Sequence, residues 1–411
     1  MVISARDKEI LRDKAKKVLE YAESPENRKK ILKWTGHNDL KDPSPVLFCD
    51  AETAWQEIRA EYEFRCEGED ARSFEWGLEY NLIYAEKIKD DRVISPVYTC
   101  CYFADPGNWG VGQVKVGGET SAQAYTWIPP LQDLDRDFEK LKYPEPAINE
   151  TMSRNFFETA KDLFDGILRV ELYHPWWWSL GLTMQYIYLR GLENFMLDLY
   201  DNPDGVHRLM AFLRDGTLHF LDKLEQKGWL TSNIGNYYVG SGGFGFTDAI
   251  KHKTKDVKCS DMWGFCESQE TSSVSPEMFS EFVLPYQMPI LDRFALNCYG
   301  CCEPLDGKWK YIRNIKNLRR VSVSRWADKA KMSEALGKDY IYSYKPNPSY
   351  LALKNIEEEE VRKELRSVLQ LAKQNGNRLE LIMKDTTTLG GSGKNLYRFS
   401  QIAKEEIEKI F

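Results

Sequence analysis

The chain predicts a (β/α)₈ barrel. Eight short apolar, β-rich runs alternate with helical stretches, no Gly-rich dinucleotide fingerprint follows any run, and the alternation fills all 411 residues without a second-domain break. An open doubly wound sheet is the competing architecture, and the missing fingerprint counts against it.

Residues 5–35 read as helical because Ile10, Leu11, Ala15, Val18, Leu19 and Tyr21 recur at helical spacing and Asn27 to Trp34 continues the pattern. The expected organisation is one barrel over 1–411, with N-terminal helices in 1–40 packed upon it. The strands expected are Pro45–Cys49, Val93–Cys101, Ile167–Tyr173, Val257–Trp263, Phe294–Tyr299, Leu318–Val323, Tyr340–Tyr344 and Leu379–Met383. Helices are expected over Leu182–Tyr200, Asp204–Lys227, Pro276–Phe294, Ala327–Leu336, Ile356–Asn375 and Asn395–Ile410. The acidic run Glu357–Glu360 suits the positive end of a helix dipole, and Gly376 is a good C-terminal stop. Residues 104–150, rich in Gly, Pro and polar side chains, read as an insertion over one face.

Net charge is −7 with acids and bases interspersed, which argues against nucleic acid as partner, since phosphate binding needs a basic face. The nine cysteines include two adjacent pairs and no disulfide framework, so reduced thiols and a cytoplasmic location are expected. Met1 to Leu19 lacks an unbroken apolar core, so no signal peptide is expected, and no run is long enough to span a bilayer.

In such a barrel the active site lies at the C-terminal ends of the strands. The richest of these ends is Asn297-Cys298-Tyr299-Gly300-Cys301-Cys302-Glu303-Pro304. A tight turn at Gly300 pushes Cys301, Cys302 and Glu303 beyond the strand, as either a soft-metal site or a reactive-thiol site; the bland reading is that they are small core residues. Other strand ends supply His174 before Trp176, Trp177 and Trp178, then Glu267, Gln269 and Glu270, then Arg325, Lys345, Asn347, Lys384 and Asp385. His174 is an acid, base or ligand candidate against a simple hydrogen-bonding role. Trp176 and Trp177 form a wall for a planar ligand or pack under the insertion. The lysines and Asp385 line a polar pocket or bridge loops, and Gly240–Gly245 reads as a mobile lid, with Asp248 meeting ligand on closure.

Gly191–Pro203 with Val206–Met210, and Ser275-Pro276-Glu277-Met278-Phe279-Ser280-Glu281-Phe282-Val283-Leu284-Pro285-Tyr286, resemble segments of the uroporphyrinogen decarboxylase-like superfamily. The resemblance is stronger over 160–411 than before it. It implies a (β/α)₈ barrel and either a decarboxylase or a zinc-dependent methyltransferase working with corrinoid proteins. The decarboxylases' N-terminal Arg-rich motif has no counterpart in Pro45–Glu52. The methyltransferases' His-x-Cys-Gly motif, aligned on Gly300, meets Asn297 and Tyr299, so the usual zinc ligands are absent and the thiols stand instead at 301 and 302. Related sequences share the YGCCE and KPNP runs, and many carry His where this chain has Thr387.

The resemblance implies a methyltransferase passing a methyl group between a small methylated substrate or methylcobamide and a thiol, folate or corrinoid acceptor. Cys301, Cys302 and Glu303 are expected to form the metal or nucleophile centre, with zinc as the metal and at most one of the adjacent thiols binding it. Glu267 and His174 complete the centre or handle protons; Trp176, Trp177, Gln269, Arg325, Lys345, Asn347, Lys384 and Asp385 contact substrate. The expected partners are a small molecule and a cobamide-carrying corrinoid protein, with a homodimer left open. The alternatives are a metal-free decarboxylase or lyase gripping a carboxylate with Arg325 and the lysines, and a non-catalytic tetrapyrrole- or corrinoid-binding protein.

Overall fold

The computed structural model describes residues 3–117 and 126–411. In chain order its strands are β1 (Val46–Cys49), β2 (Val97–Cys100), β3 (Ala104–Asp105), β4 (Val114–Val116), β5 (Thr126–Ile128), β6 (Ala147–Ile148), β7 (Arg169–Leu172), β8 (Tyr238–Val239), β9 (Gly243–Phe244), β10 (Trp263–Cys266), β11 (Leu296–Tyr299), β12 (Leu318–Val323), β13 (Ile341–Tyr344) and β14 (Arg378–Met383). Six form one parallel sheet in the order β1-β14-β13-β12-β11-β10, and β2 pairs with β7 in a second, also parallel. Helices connect the successive strands, as parallel pairing demands. The arrangement is compatible with a (β/α)₈ barrel.

Both edges of the six-stranded sheet are satisfied by side chains and loops. At β1, Asp91 Oδ2 accepts from Leu47 N and Asp90 Oδ2 from Cys49 N, both at 2.8 Å. At β10, the Asn233 amide acts as a one-residue strand: its Nδ2 donates to Trp263 O (2.9 Å) and its Oδ1 accepts from Trp263 N (3.0 Å). Leu180 N donates to Phe265 O farther along. An edge covered in this way cannot template pairing with another chain.

The expected elements shift where local chemistry outweighs periodicity. Helices α1 (Ala5–Glu23) and α2 (Pro25–Asn38) are separated at Ser24, whose side chain caps the second. The helix expected over Leu182–Tyr200 divides at Gly191 (φ +86), and that over Pro276–Phe294 divides at Val283. The strand expected at Val257–Trp263 begins only at Trp263. Before it, Asp261 Oδ2 accepts from Lys258 N and closes a helical turn over Cys259–Asp261. In the 104–150 segment, β3 pairs with β6 and β4 with β5; positions 118–125 lie outside the described residues. The segment packs on the helix Pro203–Lys227, where Phe138 meets Phe212 and Glu145 pairs with His219. Among the described residues no helix is long and apolar enough to cross a membrane.

Candidate functional site

β11 ends at Gly300, whose φ of +88 is open to glycine; a Cβ there would meet Leu305 Cδ1 at 2.5 Å. The turn buries Cys301 and leaves Cys302 half-exposed, with the two sulfurs 3.4 Å apart. Ser322 Oγ, on β12, donates to Cys301 O (2.8 Å) and holds the turn. Glu303, expected as a ligand, turns the other way. Fully buried, its carboxylate accepts from Cys301 N and Ser268 N, both at 2.8 Å, and staples the loop after β11 to the loop after β10.

Asp385 takes the place beside the thiols. Its Oδ2 lies 3.0 Å from Cys302 Sγ, and the ligand atoms of Cys301, Cys302 and Asp385 all fall within 4.8 Å of one another. Both sulfurs thus lie within reach of a common point beside Asp385. Asp385 (φ +59) and Glu52 (φ +44), which both pair with Lys384, occupy left-handed backbone that non-glycine residues seldom adopt. Such strain collects where the surrounding structure enforces a functional geometry.

Lys384 Nζ is the electrostatic hub, 3.5 Å from Cys301 Sγ, 3.0 Å from Asp385 Oδ1, 3.8 Å from Glu52 Oε1 and 3.2 Å from Ser241 Oγ. Burial works against its charge, but the negative groups around it hold the ammonium well above its ordinary pKa. The Cys302 thiol, then Lys384 and the Ser241 hydroxyl, draw the Cys301 thiol below its ordinary pKa despite burial. Cys302 is pushed far up by hydrogen bonding to Cys301 and by burial. Of the two, Cys301 is therefore the thiol that ionises more readily, while Cys302 Sγ donates to Asp385 Oδ2.

Ser241 reaches this site from an element the sequence suggests is a lid. The run Gly240–Gly245 is instead the β8–β9 hairpin, buried against one face of the six-stranded sheet. A Cβ at Gly240 would stand 2.8 Å from Cys298 Cβ, and Cβ atoms at Gly242 and Gly243 would overlap Ile382 and Arg320. The glycines are there so that backbone fits against strand. Asp248 lies beyond the hairpin, its amide bonded to Asp39 just after α2, and does not meet the thiols.

Beside the thiols, Trp178 presents its ring 5.7 Å from Lys384 Nζ. Trp176, Trp177 and Trp178 form a partition between two cavities of about 420 and 370 Å³. Glu267 lines the first and His174 the second. Glu267 is buried, accepts from Ser179 Oγ (3.1 Å) and Gln269 N (2.9 Å), and is raised well above the carboxylate range by burial and by Glu270. Burial lowers the His174 imidazole, which stands against Trp176 and Tyr102 with Nδ1 unpartnered. Gln269 shares a shallow depression with Cys302 and the exposed Trp326. Lys345 is buried and bonds Ser343 Oγ. Arg325 pairs with Asn347 and stacks on Trp326 in a separate outer depression, so the three cations expected to grip one carboxylate do not converge.

Ser241 and Glu52 are the site residues that sequence reasoning misses. The serine's signal was its place inside the glycine run, which is readable only as backbone crowding.

No family model and no curated protein matches the chain. Among solved structures, a methyltransferase from Methanosarcina mazei superposes with a TM-score of 0.50 at 10% identity, covering 92% of this chain and 98% of that one. The chain is thus similar in fold to a methyltransferase over nearly the full length of both.

Proposed function

We propose that the protein is a methyltransferase whose reactive centre is the Cys301–Cys302 dithiol. The observation that carries this is the Cys301 sulfur held between the Cys302 thiol, the Ser241 hydroxyl and the Lys384 ammonium. A thiolate is the nucleophilic form of cysteine, and a neighbouring cation makes it available at neutral pH. The Cys301 lone pair forms the S–CH₃ bond as the electrons of the donor's carbon–heteroatom bond leave with the heteroatom; the acceptor's lone pair then forms its bond to the methyl carbon as the S–CH₃ electrons return to Cys301. The fold likeness supports the reaction class. The sequence resemblance supports a cobamide on a corrinoid protein, a folate or a small thiol as acceptor.

The donor set also fits zinc. Tetrahedral zinc with sulfurs at about 2.3 Å sets them about 3.8 Å apart, slightly wider than the 3.4 Å between Cys301 and Cys302. Cys301, Cys302 and Asp385 would hold the ion, leaving one position open. Bound there, zinc supplies Lewis acidity that lowers the pKa of an acceptor thiol.

Methyl transfer from methylcobalamin to a small thiol, followed by the loss of methylcobalamin absorbance, tests the centre. Cys301→Ala is expected to lose on the order of 10³-fold or more of the rate while unfolding at the wild-type temperature. Lys384→Met is expected to move the pH at which Cys301 becomes alkylated by iodoacetamide upward. Full activity in Cys301→Ala/Cys302→Ala would sink the dithiol reading. Metal content of protein purified without chelator, with and without those two thiols, decides whether zinc belongs to it.

A further inference from the structure

The cavity of about 420 Å³ on the Glu267 side of the tryptophan partition has a lining unlike an ordinary apolar pocket. Indole rings reach it from two separate parts of the chain: Trp109 from the 104–150 segment, and Trp176, Trp177 and Trp178 from the run after β7. Tyr188 adds a ring from the helix Thr183–Arg190. Among the described lining residues Glu267 is the one carboxyl group, and no Lys or Arg is present.

Aromatic faces carry negative quadrupole potential, and indole attracts cations best. Lys384 already places an ammonium over Trp178, so that ring serves as a cation platform in this protein. Indole faces offer no acceptor for the N–H groups of a primary ammonium and so favour a cation that has none. A quaternary ammonium needs none and presents methyl groups to the rings.

We infer that this cavity binds a quaternary ammonium headgroup, with the indoles as its box and Glu267 as the counter-charge behind Ser179. Burial and Glu270 hold Glu267 above its ordinary pKa, and a cation beside it favours the ionised form. The volume suits a small molecule and not a macrocycle. Resting on the dithiol reading, the same ligand is the methyl donor: the Cys301 sulfur lone pair forms the S–CH₃ bond as the nitrogen–methyl bond breaks, the electron pair of that bond returns to nitrogen, and the tertiary amine leaves neutral without a proton. Trp178 lines the cavity and its ring stands 5.7 Å from Lys384 Nζ, which lies 3.5 Å from Cys301 Sγ.

Titrating the full chain with choline and with its neutral isostere, 3,3-dimethylbutan-1-ol, while following tryptophan fluorescence, tests the cavity without any turnover. Choline is expected to bind at least tenfold tighter than the alcohol, and Trp177→Leu and Glu267→Gln each to weaken choline at least tenfold. Equal affinity of the two ligands for the wild-type protein overturns the assignment whether or not the variants fold, and unchanged choline affinity in both variants does so too. Choline binding is expected to survive in Cys301→Ala. Loss of the dithiol reading and loss of the cation site are therefore seen in different measurements.

Discussion

Two lysines that interact electrostatically with Cys301 carry opposite perturbations. Lys384 sits among Cys301, Asp385 and Glu52 and keeps its proton tightly. Lys345, one strand away, is enclosed and among the described residues hydrogen-bonds only Ser343 Oγ and O, and burial lowers it from 10.5 to about 8. Above about pH 8 the folded chain has shed this proton while the unfolded chain holds it up to 10.5, so stability rises with pH across that window. Below about pH 8 the folded chain carries a buried ammonium at a cost. Lys345→Met is expected to raise stability at pH 7 by about 2–3 kcal/mol and to flatten the rise between pH 8 and 10, checked by urea unfolding at each pH. Both lysines were legible as polar groups ending apolar strands. Their opposite states were not, because neither Glu52 nor Ser241 is near them in sequence.

At the scale of elements, the β8–β9 hairpin sets the floor of the site. Its glycines read as flexibility in a sequence, yet each is explained by a neighbour it must not touch. Gly242→Ala would press a methyl group into the buried Ile382 side chain and put φ of +118 on a residue with a Cβ. A loss of about 2–4 kcal/mol is expected, with Cys301 alkylating at a higher pH as Ser241 shifts. Gly228→Ala is the control: it keeps positive φ (+64) but meets nothing within 4 Å, and a loss of only about 1 kcal/mol is expected. Thermal unfolding compares the two. Periodicity located most elements because amphipathic repetition is a local signal. It failed at Gly191, Val283 and Val257–Asp261, where a single residue's backbone or cap ends the pattern.

Across the molecule, a buried ionic group ties α2 to the sheet. Glu380 on β14 pairs with Arg320 Nε on β12 at 2.9 Å and with His37 Nε2 at 3.4 Å, and Arg320 Nη2 donates to Asn38 Oδ1 at 2.7 Å. Arg320 in turn lies under the hairpin and over Trp263, so sheet, hairpin and N-terminal helix share one set of contacts. Removing one partner strands a buried charge. Arg320→Met is expected to cost about 3–5 kcal/mol and the double variant Arg320→Met/Glu380→Leu clearly less than the sum of the singles. A denaturant double-mutant cycle measures this, and strict additivity would show that the charges do not depend on each other.

Strand-and-helix alternation, the thiol pair after Gly300 and the tryptophan run all followed from the order of residues, because hydrophobic period and turn chemistry act over a few positions. Which acid faces the thiols depended on tertiary structure: Glu303, two residues from Cys301, bends back to satisfy loop amides, while Asp385 arrives from a strand end 83 residues away from Cys302. The same holds for the hairpin serine and for the indole box, whose rings come from segments far apart in the chain. Proximity of this kind is set by how the sheet curves and what packs on it, and no local stretch of sequence encodes that.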